Sequence, residues 1–143
     1  MKMQTKLKKI FYFTFLLLFL TGVFYFAIEI FSSSQDDLNN PFSRTKMWTL
    51  RSHSILGLWF FFLFGHLYSK HIGPKLRRDK GKKSGLVFFA SLIIVCITVP
   101  GLFYITDDHL RDGVAKLHTY LGIALIIPFL LHSIFKIDSK SKR

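Results

Sequence analysis

Four apolar stretches alternate with short polar and charged segments along the chain. They run from about Ile10 to Phe31, Trp48 to His71, Gly85 to Ile105 and Val114 to Ile137. A helix of about 20 mostly apolar residues crosses the roughly 30 Å hydrocarbon layer of a bilayer. The pattern therefore predicts an all-α integral membrane protein, a four-helix bundle in a single domain over residues 1–143. Between the spans lie an outer loop over 32–47, a basic loop over 72–84 and a short polar turn before the fourth span. The first stretch follows a basic segment, Met1 to Lys9, as in a signal peptide. Its apolar run is about twice the usual signal core, and no small-x-small cleavage site follows, so it is read as a helix.

Charge orients the spans. Fifteen of the 20 basic residues fall in three places: the N-terminus (Lys2, Lys6, Lys8, Lys9), the segment from Lys70 to Lys83, and the C-terminus (Lys136, Lys140, Lys142, Arg143). Cytoplasmic loops carry the excess of lysine and arginine, which predicts both termini inside. Spans two and four then run parallel, from outside to inside. The net charge of +12 belongs to this flanking pattern, so nucleic acid is not expected as a partner; the lipid bilayer is. The single cysteine, Cys96, excludes an internal disulfide and a cysteine-cage metal site. No Walker loop, GxGxxG, nucleophile elbow or HExxH occurs, and the chain has no large soluble domain for nucleotide or peptide chemistry.

Candidate chemistry lies in the histidines. Of six, His109 falls in a loop, His53, His66 and His71 fall in span two, and His118 and His132 in span four. Ionisable groups at membrane depth are costly and mark sites by default. His118 and His132 are 14 residues apart, about 40° short of four turns and about 21 Å along the axis. His53 and His71 are 18 apart, five full turns, whereas His53 and His66 lie about 140° apart around a regular helix. Span two contains His53-Ser-Ile-Leu-Gly57 and span four His118-Thr-Tyr-Leu-Gly122, each near the outer end. Each glycine lies one turn inward on the histidine's face, where it admits a flat ligand close to the backbone; small-residue helix packing is the alternative use.

Facing histidines at one depth on two parallel helices can grip a metal macrocycle from both sides, as in bis-histidine ligation of haem b. The expected slot lies between helices two and four. His53 and His118 are the outer axial ligands, and Gly57 and Gly122 line the slot. His132 with His71 would hold a second, deeper haem, with His66 the rival to His71. Phe60, Phe61, Phe64, Tyr104 and Phe129 are candidate walls. Arg51, Arg111 and Lys116 at the outer rim could meet haem propionates or anchor at the interface.

These features resemble the membrane cytochrome b superfamily, in particular small, cytochrome b561-like bacterial proteins. The resemblance rests on His53 with Gly57, the His71-Ile-Gly73 exit from span two, Ser84-Gly85 opening span three, Pro100-Gly101-Leu-Phe-Tyr104 closing it, His118 with Gly122, and His132. It covers about Trp48 to Ile137. It implies a four-helix bundle in a bacterial inner membrane, with one or two haems b moving electrons across or within the bilayer. It further implies quinone as donor or acceptor and a redox partner subunit that would hold any enzymatic activity. Large members space both histidine pairs by about 14, which span four matches and span two does not. By the same analogy the polar loop Asp107, Asp108, His109, Arg111, Asp112 could handle protons at a quinone site; otherwise it is a solvated turn with Asp112 or a neighbour capping span four. Two other classes stay open: a haem-free structural or assembly subunit of a membrane complex, and a metal-ion transporter with histidines along its path.

Overall fold

The computed structural model describes residues 2–32, 42–74 and 83–132. The tip of the outer loop, most of the basic loop and the end of the fourth span beyond 132 lie outside the described residues, as does the side chain of His71. Among the described residues there are only helices and short turns: α1 (Lys2–Ser32), α2 (Ser43–Leu67), α3 (Lys83–Tyr104) and α4 (Asp108–Ala124). After α2 the chain continues as a π-helical segment, Tyr68–Ile72. After α4 it turns at Leu125 and resumes as helix over 126–132. Pro128 explains that interruption, since it lacks the N–H that would bond the Ala124 carbonyl.

Among the described residues, three helices are long and apolar enough to cross a membrane: Lys6–Ser32, Gly85–Tyr104 and Asp108–His132. At 25 residues, about 37 Å, α2 is long enough. Arg44, Lys46 and Arg51 crowd its N-terminal third, however, and it is not among the three. Large apolar side chains point outward along these helices, among them Phe13 at 64% and Phe31 at 74% exposure. Such surfaces are the reverse of a water-soluble bundle and suit lipid contact.

The chain divides into two compact units, Met1–Arg78 and Asp79–Arg143. In the first, α1 packs along α2. Phe60, Leu63, Phe64 and Leu67 are buried on α2 at helical spacing, and Phe11, Phe15 and Ile28 are buried on α1. The Phe11 and Phe60 rings meet at 4.9 Å, and Phe60 continues onto Phe64 at 6.3 Å. Phe60 is therefore packing between α1 and α2, the core use of a span aromatic rather than a wall. At the other end of the hairpin Lys46 pairs with Glu29 at 2.6 Å.

In the second unit α3 packs along α4. A Cβ on Gly101 would meet Val114 at 3.1 Å, so the glycine sets how closely these two helices approach. The fourth helix begins at Asp108, six residues before the expected Val114. Asp107 is extended, and its carboxylate accepts from the Leu110 N–H at 2.8 Å. The N-cap is thus Asp107 and not Asp112. Asp107 satisfies a first-turn donor that would otherwise be orphaned, and so extends the helix through the polar residues 108–113.

Candidate functional site

The two H-[ST]-x-L-G histidines have matching surroundings, one in each unit. In the first, the Thr21 hydroxyl donates to the Leu18 carbonyl at 2.9 Å and lies 3.0 Å from His53 Nδ1. In the second, the Thr98 hydroxyl donates to the Val95 carbonyl at 2.6 Å and lies 2.7 Å from His118 Nδ1. A hydroxyl has one proton, and each is committed to a carbonyl one turn back on its own helix. With the hydroxyl proton on that carbonyl, the threonine oxygen is placed to accept from Nδ1–H, the tautomer that leaves the neutral ring's lone pair on Nε2. A partner on one ring nitrogen that fixes the tautomer and orientation of the other is the usual second shell of a metal-binding imidazole.

Close backbone approach accompanies two of the histidines. A Cβ on Gly22, the neighbour of Thr21, would come within 3.1 Å of His53 Cε1. A Cβ on Gly85 would come within 3.2 Å of His132 Cε1. His132 also stacks on Phe88, with centroids 6.0 Å apart and planes at 15°, and Phe88 in turn meets Phe129 at 5.8 Å. Phe129 is thus engaged with α3. His118 and His132 both turn toward α3, in keeping with their 14-residue spacing.

The other expected site residues are placed as follows. His66 is exposed in the last turn of α2. The backbone of His71 lies in the π-helical segment, where the Gly73 N–H bonds the Tyr68 carbonyl five residues back. The five-turn alignment of His53 with His71 assumed a regular helix, and the wider turn at Tyr68–Ile72 changes that phase. The distortion falls after His66, not near Gly65 where it would have realigned His66. Among the described residues, a Cβ on Gly57 would meet only Leu18 Cδ1, at 3.9 Å, and one on Gly122 would meet nothing within 4 Å. Phe61 and Tyr104 are exposed, whereas Phe64 is buried. Arg51 lies over the Trp48 ring at 5.3 Å. Arg111 pairs with Asp108 and Lys116 with Asp112, at 2.6 and 2.7 Å. Among the described residues no three His, Cys, Asp or Glu side chains gather as a metal cage would require. His53 and His118 belong to different units, and each has its own helix-borne partner.

No family model, no curated protein and no solved structure matches the chain.

Thr21, Gly22 and Thr98 escaped the sequence reading. The available signal was a polar residue inside each otherwise apolar odd-numbered span. Threonine satisfies its own hydroxyl in a helix by back-bonding, so its presence alone does not point to a site. The contact with histidine gives it that meaning.

Proposed function

We propose that the protein is a membrane b-type cytochrome that carries electrons within or across the bilayer. In this reading α2 also crosses the bilayer, as the second of four spans, both termini are cytoplasmic, the membrane is a bacterial inner membrane, and quinone or a redox subunit exchanges electrons with it. The observation that carries the reading is the repeated threonine–histidine lock. Two histidines in matching H-[ST]-x-L-G segments each have Nδ1 within hydrogen-bond distance of a threonine on the preceding helix, an arrangement that suits metal binding through Nε2. His53 and His118 would supply the two axial bonds of one haem. His132, with His71 or His66, would hold the second. Haem b, when bound, supplies a one-electron iron couple whose potential follows axial ligation and second-shell hydrogen bonds.

The chain's own part is to orient and to keep dry. Thr21 and Thr98 hold the imidazole protons on Nδ1. Gly22 and Gly85 let His53 and His132 lie against a backbone, which limits their rotation. The apolar helices exclude water, which favours six-coordinate, low-spin iron over solvent ligation.

Detergent-purified protein should show a Soret band and, on dithionite reduction, a sharp α band of six-coordinate low-spin haem b. Folded, colourless protein from haem-replete cells would overturn the reading. Reporter fusions after Lys83 should read cytoplasmic; a periplasmic signal there would overturn the orientation.

The glycines give a second check. Gly57 and Gly122 have room for a methyl as far as the described residues go, and alanine in a helix gains about 0.5–1 kcal/mol over glycine. Gly57→Ala and Gly122→Ala should therefore stabilise the haem-free protein by about that amount in denaturant unfolding. If a flat ligand occupies that space, the same variants should take up haem more weakly. Undiminished haem uptake in both would leave the two glycines as ordinary helix positions.

A further inference from the structure

A shallow, open depression of about 490 Å³ lies between α1 and α2, beside the Thr21–His53 contact. Thr21 is one of its lining residues. Thr45, Thr49 and Ser52 line it from α2. Their spacing puts them within about 60° on one face of the helix, as a column of hydroxyls leading to His53. Arg44 stands at the far end, and Phe24 and Trp48 supply apolar walls.

Arg44, Thr45 and Ser52 are exposed and Thr49 is buried, and their side chains differ from others nearby in what they bond. Thr21, Ser32, Ser91 and Thr98 all back-bond to carbonyls of their own helices. Among the described residues no side-chain hydrogen bond uses the hydroxyls of Thr45, Thr49 or Ser52. The same contrast holds for the cations. Lys46, Arg111 and Lys116 pair with carboxylates, and Arg51 covers Trp48. Among the described residues no carboxylate pairs with Arg44.

From this we infer that the cleft binds an oxyanion, a carboxylate or phosphate, carried on an otherwise apolar body. A guanidinium offers donors only, and the three hydroxyls can all donate, so the complementary ligand accepts and is negatively charged. The aromatic walls suit the apolar body. Two sources share this chemistry: the propionates of the haem and the phosphate of an anionic phospholipid. Continuity through Thr21 to His53 favours the propionates, and that choice rests on the cytochrome reading, whereas the oxyanion site does not. Arg44, and not Arg51, Arg111 or Lys116, is then the cation that anchors the porphyrin edge.

The test compares full-length wild type with Arg44→Leu and with the triple variant Thr45→Val, Thr49→Val, Ser52→Ala, all in detergent and checked for equal thermal unfolding. In one arm each protein is loaded with haem b or with its dimethyl ester, which has no carboxylates, and transfer to apomyoglobin is timed. Charged hydrogen bonds of this kind correspond to roughly ten- to hundredfold in affinity. Both variants should release haem b faster by about that factor, keep the low-spin spectrum while loaded, and lose the difference when the ester is used. In the other arm phosphatidylglycerol is titrated and bound lipid is counted by native mass spectrometry. Unchanged haem release with loss of bound phosphatidylglycerol in both variants would assign the site to lipid. Wild type and variants indistinguishable in both arms would overturn the oxyanion site. A wild type that takes up no haem sinks the cytochrome reading instead, and the lipid arm then decides the cleft alone.

Discussion

His53→Ala and His118→Ala are expected to give the same loss: the six-coordinate haem spectrum collapses to a five-coordinate or empty state in either variant. In the proposed reading both histidines would hold the same haem iron, so the second deletion would remove little that the first has left. The double variant should thus be scarcely worse than either single, the strong non-additivity of residues that act as a unit. His132→Ala should remove a different spectral component. His66→Ala and His71→Ala then separate the two inner candidates, because the true ligand copies the His132→Ala phenotype. The comparison matters more because the π-helical segment Tyr68–Ile72 alters the regular phase that had favoured His71. Wild-type spectra from all five alanine variants would show that these histidines do not bind the iron.

The second large effect is expected at the threonines. Thr21→Val and Thr98→Val keep the shape of the side chain and remove the hydroxyl that lies within hydrogen-bond distance of Nδ1. A partly buried imidazole N–H without an acceptor costs about 1–3 kcal/mol, and loss of a second-shell partner typically weakens a metal site by roughly 10–100-fold. Haem affinity should fall by about that factor in each variant. The reduction potential should rise, because an Nδ1–H bond makes the ligand more basic and favours the oxidised iron. Thr21→Ser and Thr98→Ser should restore both quantities. A purely structural role would lower stability in the valine variants while leaving the potential of the retained haem unmoved. A potential identical to wild type in Thr21→Val and Thr98→Val therefore rules out the tautomer lock.

Several parts of the structure were legible in the residues because the physics is local. A run of apolar residues has its transfer free energy, and a helix its internal hydrogen bonds, whatever its neighbours are. Helices accordingly form where the apolar blocks lie, and His118 and His132 share a face because 14 residues nearly complete four turns. The ends were less legible. Asp107 won the cap from Asp112 through one hydrogen bond to Leu110, and that choice moved the start of α4 by six residues. Nothing in Tyr68–Ile72 forbids an α-helix, so the wider turn could not be read from composition.

What the sequence by itself determined is the helical class, the apolar spans and the pair of H-[ST]-x-L-G segments that singled out His53 and His118. Only the tertiary structure decided what touches them. Thr21 and Gly22 lie 32 and 31 positions before His53, and Thr98 lies 20 before His118. The rotation and offset of one helix on another fix those contacts, through side chains such as Phe11 on Phe60 in one unit and Gly101 against Val114 in the other. Periodicity along a single helix carries no information about that offset. The same packing put Phe60 in the α1–α2 core, and it placed the hydroxyls of Thr45, Thr49 and Ser52 along the cleft that leads to His53.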